Sequence, residues 1–176
     1  MRRLNAADDD EAATRNDSTD VSTALAQQST VVDLPIAAVY KQWVDFESFP
    51  TFLPAVREVT RTSDVYSRWT LSLGRLSRHF VAEIVEQLPE ERLAWRTIEG
   101  DVWFSGAAVF EAVDKEHTRV SLTVDWQPTT AVERAADTLG MADRTVRAAL
   151  RAFKDFIEST GGPSGRSRIK LVSSDG

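Results

Sequence analysis

The chain has no cysteine and only two histidines among its 176 residues. Without thiols there are no disulfides, no thiolate metal sites and no cysteine nucleophile. The histidines, His79 and His117, fall on different segments and make no cluster with metal-ligand spacing, so no metal is expected. No apolar run approaches the roughly 20 residues needed to span a bilayer, so no stable membrane insertion is expected. The N-terminus carries Arg2 and Arg3 but no apolar stretch behind them. It does not read as a secretory signal, and cytoplasm is the default location. Basic residues are also in deficit, 21 against 27 acidic ones for a net charge of −6, which argues against nucleic acid as a partner. There is no G-x-S-x-G, no phosphate-binding loop and no dinucleotide fingerprint, and no cofactor is expected.

What is present is a hydrophobic content of 42%, enough for one domain with a full core. Residues 1–20 hold six acidic and three basic residues, including the run Asp8-Asp9-Asp10-Glu11, and read as a solvated, disordered tail. Residues 161–176 mix Gly, Pro and Ser with Arg166, Arg168 and Lys170 and read as a second flexible tail. The domain is expected between them, over residues 21–160.

Residues 21–33 are rich in Thr, Val, Ser and Gln, as a first strand would be. Pro35 suits the start of a short helix, Ile36 to Val44. The segment Asp45 to Pro54 reads as a second short helix broken by prolines, with Phe46, Phe49 and Phe52 spaced to share one face. From Ala55 the period becomes two, and strands are expected at about 55–62, 65–73, 76–87, 92–99, 102–112 and 118–127. The short turns between them imply antiparallel neighbours. From about residue 130 to 160 the apolar spacing alternates between three and four, the mark of an amphipathic helix roughly 45 Å long. Gly140 is where a kink or break is expected, and Gly161-Gly162-Pro163 marks the end. A coiled-coil seam is the competing reading of this spacing. Strands that need a helix to cover them favour an α+β domain instead.

The turns also predict facing residues. Gly74-Arg75 looks like a type II′ hairpin turn with glycine first, which sets Trp69 opposite Phe80 and Leu71 opposite Arg78. Gly100-Asp101 sets Trp95 opposite Gly106 and Leu93 opposite Ala108. Each pairing keeps apolar residues on one face, as a half-buried sheet requires. Small residues among large rings, Gly106 facing Trp95 above all, predict room for an apolar pocket on that face.

Several local patterns together resemble a known family. Val39-Tyr40 followed by Trp43, then Asp45-Phe46-Glu47-Ser48-Phe49-Pro50 and Phe52-Leu53, is similar to the early motif of the polyketide cyclase/dehydrase branch of the START-like superfamily. Glu86-Gln87 with Pro89, Leu93-Ala94-Trp95-Arg96, Gly100, Gly106 with Phe110, Thr118-Arg119-Val120 and the Phe153–Glu158 stretch follow in matching order. The resemblance covers roughly residues 25–160. It implies a helix-grip fold, a seven-stranded antiparallel sheet wrapped around a long C-terminal helix, with two short helices after strand one. Members of the superfamily include aromatase/cyclases, quinone-binding proteins, lipid carriers and hormone receptors. After the helix this chain departs from its look-alikes, since Gly165-Arg166-Ser167-Arg168 lacks the Trp-Arg pair they often carry. No catalytic motif of the cyclases is matched, and no catalytic residue carries over.

The expected role is binding or transport of a hydrophobic small molecule, a polyketide, quinone or lipid-like compound, between sheet and helix. The alternative is an aromatase/cyclase that folds and dehydrates a poly-ketone. Residues expected to line the pocket are Trp69, Leu71, Phe80, Trp95, Phe104, Gly106, Phe110, Leu122 and Trp126 from the sheet. Val146 and Phe153 would come from the helix, and Phe46, Phe49 and Phe52 would form the mouth. The polar candidates are Arg78, able to hold a carboxylate or an enolate-like oxygen, and Glu86, of the same parity and able to act as a base. Their bland alternatives are an arginine that snorkels at the rim and a solvated strand end. Two or more buried ionisable groups facing the pocket would favour the enzyme, and an all-apolar pocket the carrier. The sequence leaves the oligomeric state open.

Overall fold

The switch from period two to period 3.6 after Gln127 separates a sheet from the helix that covers it. The computed structural model describes residues 24–127 and 140–162. In chain order these form β1 (Ala24–Val32), α1 (Ile36–Trp43), a 3₁₀ helix (Phe46–Thr51), β2 (Val56–Arg61), β3 (Tyr66–Leu73) and β4 (Leu76–Leu88). Then come β5 (Arg92–Gly100), β6 (Trp103–Ala112), β7 (Thr118–Gln127) and α2 (Met141–Thr160). The strands make one seven-stranded antiparallel sheet in the order β1-β7-β6-β5-β4-β3-β2. This is the α+β helix-grip architecture. The two expected tails and the part of the expected helix before Gly140 lie outside the described residues.

The register follows the turns. Trp69 pairs with Phe80, Leu71 with Arg78, Trp95 with Gly106 and Leu93 with Ala108. Gly74 has a φ of 65° and Arg75 does not share it, as a type II′ turn requires. Two irregularities between β4 and β5 bend the sheet: Ile98 is an extra residue on β5 and Val85 an extra residue on β4. A bulge of this kind leaves one residue unpaired and increases local twist.

Helix α2 is bracketed by glycines in the left-handed region, Gly140 at φ 68° and Gly161 at φ 66°. At the C-terminal end, the N–H groups of Gly161 and Gly162 donate to Glu158 and Ile157 carbonyls, closing the last turn. The buried stripe is Val146, Leu150, Phe153 and Ile157, with Ala149 and Phe156 half-buried beside it. The helix runs along β1. Near its start Gln28 Nε2 donates to Asp143 Oδ1 at 3.2 Å and Gln28 Oε1 accepts from Arg147 Nε at 3.2 Å. Near its end Lys154 Nζ donates to the Val31 carbonyl at 2.5 Å and to Glu158 Oε1 at 2.8 Å. The Asp33 backbone N–H donates to the same carboxylate oxygen at 2.8 Å.

Helix α1 closes the other side. Trp43 sets its ring edge-on to Phe153 at 4.9 Å, Phe110 at 5.9 Å and Phe49 at 6.1 Å. Tyr40 Oη accepts from Gln87 Nε2 at 3.1 Å. Each fully buried side chain of this kind contributes about 1.5–3 kcal/mol, so the seam between α1, α2 and the sheet is the stable centre of the fold.

Candidate functional site

The concave face of the sheet has two parts. Under α2 it is sealed, with Leu93, Ala108, Phe110, Val120 and Leu122 all buried. Gln28 meets the first turn of α2 and stands opposite Leu122, so Val124 and Trp126 lie beyond the start of the helix. There, at the end of the sheet marked by the β3–β4 and β5–β6 turns, the face is half-buried. Trp69, Leu71, Trp95, Phe104, Val124 and Trp126 share this half-buried surface. At its centre Phe80, 3% exposed, stacks on Trp69 at 5.9 Å and meets Phe104 edge-on at 5.0 Å.

Two hydroxyls that sequence reasoning missed lie in the same wall. Ser67 and Thr97 both pair with Ala82 across β3–β4 and β4–β5 and both are buried. Ser67 Oγ accepts from Trp69 Nε1 at 2.8 Å, and Thr97 Oγ1 accepts from the Phe104 N–H at 3.4 Å. Shared parity with Trp69 and Trp95 was the signal that could have found them.

The expected lining residues divide between the hollow and the core. Trp69, Leu71, Phe80, Trp95, Phe104, Gly106 and Trp126 share the concave side of the sheet at this end. Phe110, Leu122, Val146 and Phe153 belong to the sealed core. Phe46 and Phe49, expected at the mouth, are 8% and 9% exposed. They form a wall, with both rings against Trp69 at 5.9 and 5.6 Å. Phe52 packs on Phe153 at 5.9 Å and stacks on Phe156 at 4.8 Å.

Two expectations are corrected. The room predicted opposite Trp95 is filled by Trp95 itself, because a Cβ on Gly106 would lie 2.5 Å from Cζ2 of the indole. Glu86 does not face the hollow. The bulge at Val85 reverses the parity of β4, sets Glu86 across from Ala94 on the outer face, and lets it pair with Arg92 at 2.5 Å. The same reversal brings Gln87 inward to Tyr40.

Arg78 keeps the expected position, half-buried on the concave side opposite Leu71. Arg61, at the end of β2 and opposite Ser67, is on the same side, where it donates to the Val44 carbonyl at 3.2 Å and lies over the Phe46 ring. The outer face holds Arg96 with Glu83 at 2.9 Å and Arg119 with Glu111 at 3.7 Å. A trough of about 400 Å³ on that face runs over Ala94 and Ala107 between Arg92, Arg96 and Asp125. His79 meets Thr70 Oγ1 through Nδ1 at 3.2 Å. His117 is paired with Asp114 in an exposed turn at 2.7 Å. The hydrogen bond and charge of Asp114 raise the His117 pKa; the Glu116 N–H, ahead of His117, lowers that of Asp114. Among the described residues no three His, Asp or Glu side chains come together to hold a metal. No helix among them is long and apolar enough to cross a membrane.

The family described as polyketide cyclase/dehydrase and lipid transport matches residues 32–154, a span that takes in β2 to β7 and most of α2. The chain belongs to this family. An uncharacterised 17.2 kDa protein of Streptomyces lincolnensis, from the melC2-rnhH intergenic region, is 36% identical over 146 residues. That alignment covers 83% of this chain and 97% of the relative. Among solved structures, the Zhui aromatase/cyclase of Streptomyces sp. R1128 superposes with a TM-score of 0.67 at 18% identity, covering 82% of this chain and 99% of that one. A START superfamily protein of Mycobacterium smegmatis gives 0.66 at 14% identity, over 77% and 98% of the two chains. At these identities the structural likeness is one of fold. Membership in the polyketide cyclase/dehydrase and lipid transport family supports a role in binding or cyclising a hydrophobic ligand.

Proposed function

We propose that this protein binds and carries a hydrophobic small molecule in the hollow between the concave face of β3–β7 and the N-terminal side of α2. The observation that carries this reading is the half-buried aromatic surface of Trp69, Trp95, Phe104 and Trp126 beyond the first turn of the helix. Apolar surface left partly wet at the open end of a sheet gains roughly 25 cal/mol per Å² when a ligand covers it. The cyclase alternative needs ionisable groups positioned to move protons. With Glu86 on the outer face, the described strands direct no carboxylate and no imidazole inward, only the guanidinium groups of Arg61 and Arg78, which supports carriage over chemistry.

The test is fluorescence titration with N-phenyl-1-naphthylamine, a neutral apolar probe that brightens on leaving water. Saturable binding of one probe per chain, weakened when Phe104→Glu places a carboxylate in the hollow, is the expected result. No saturable binding, or binding untouched by Phe104→Glu in a folded chain, overturns the reading.

A further inference from the structure

We infer that the ligand of this hollow is an amphipathic anion, an apolar body whose oxyanion head is seated on Arg78. The inference rests on the hollow being the ligand site. Among the described strands two ionisable side chains turn to the concave face: Arg61 on β2, already engaged by the Val44 carbonyl and the Phe46 ring, and Arg78 on β4. Among the described residues Arg78 makes no hydrogen bond, ion pair or ring contact. Arg92, Arg96 and Arg119, on the outer face, instead meet carboxylates at 2.5, 2.9 and 3.7 Å. Asp101, in the turn that abuts β4, is already engaged, its Oδ2 accepting from the His79 N–H at 2.8 Å.

A half-buried guanidinium has lost part of its hydration, and a carboxylate-like group restores it through two parallel N–H···O bonds. The placement suits such a head. Arg78 stands two residues from Phe80, about 7 Å along the strand, and Phe80 stacks on Trp69. A head held at Arg78 therefore leaves the next part of the ligand on those two rings.

The experiment compares two probes with the same aromatic body, 8-anilino-1-naphthalenesulfonate, which is anionic, and N-phenyl-1-naphthylamine, which lacks the sulfonate. Both are titrated into the intact chain, into Arg78→Gln and into Arg78→Lys. Arg75→Gln, on the exposed hairpin tip, serves as the control of equal charge change. The wild type should hold the sulfonate at least about tenfold more tightly than the neutral probe. Arg78→Gln should remove that advantage and leave the neutral probe unchanged, which also shows that the variant is folded. Arg78→Lys should restore part of the advantage, and Arg75→Gln should behave as wild type. Equal affinity of the wild type for both probes, or an equal loss in Arg75→Gln, overturns the anion site while the apolar hollow stands. Failure of both probes to bind overturns the hollow and the anion site together.

Discussion

The indole of Trp95 rests on Gly106 across the β5–β6 pairing, and a Cβ at residue 106 would meet its Cζ2 at 2.5 Å and its Cε2 at 2.8 Å. The glycine is the seat of a ring in the wall of the hollow. Gly106→Ala should therefore destabilise the chain by about 1–3 kcal/mol in urea unfolding. Combined with Trp95→Val, it should cost less than the sum of the two single changes, because the clash disappears with the ring. Strict additivity would mean that the ring moves aside freely.

Phe49 should behave as a core residue. It lies between Trp43, Phe46, Phe52 and Trp69, with ring centroids 5.2 to 6.1 Å away. Phe49→Ala is expected to cost about 3–5 kcal/mol, and Phe49→Leu much less. The check is the midpoint of chemical unfolding. A stable Phe49→Ala chain that has only lost ligand affinity would return this ring to the mouth.

Glu158 should make the chain acid-sensitive. Burial pushes its pKa up, but the hydrogen bonds from Lys154 and the Asp33 N–H, with the Lys154 charge, leave it below its ordinary value. A carboxylate with a depressed folded pKa contributes stability above its unfolded value, and that contribution fades as the pH falls through the folded one. Below about pH 4.5 the wild type should lose stability faster than Glu158→Gln, read from urea midpoints at a series of pH values. Parallel loss in the two proteins would show that the clasp between α2 and β1 contributes nothing through this charge.

The fold was legible because its turns are local. Glycine at 74 sets the pairing of Trp69 with Phe80, and sheet parity carries it along the strands. Trp95 meets Gly106 in the register the Gly100-Asp101 turn implies, although Thr97, Glu99 and Gly100 pair with β4 and the β5–β6 ladder stops at Arg96 and Ser105. The bulge was not legible. Whether Val85 is paired or extra depends on what β5 places opposite it, and the apolar doublet Ile84-Val85 is no marker, since Phe80-Val81-Ala82 breaks the alternation in the same strand without a bulge on β4. Val85 decides which way Glu86 faces. The three phenylalanines after α1 do share packing, as their spacing says. Spacing names a common face and not the object it meets, and here the object is the core. At Gly106 the sequence shows an absence of side chain, but which neighbour enters the gap is a matter of the Trp95 rotamer.

The inward surface of β3–β7 carries no carboxylate and no imidazole, and its one ionisable group is the guanidinium of Arg78. This wall of the hollow therefore has no proton of its own to gain or lose near neutrality. An acidic ligand would bring the titration with it, bound as the anion and let go only where the ligand itself becomes neutral. Retention measured against pH would then trace the acidity of the guest and not that of the strands that hold it.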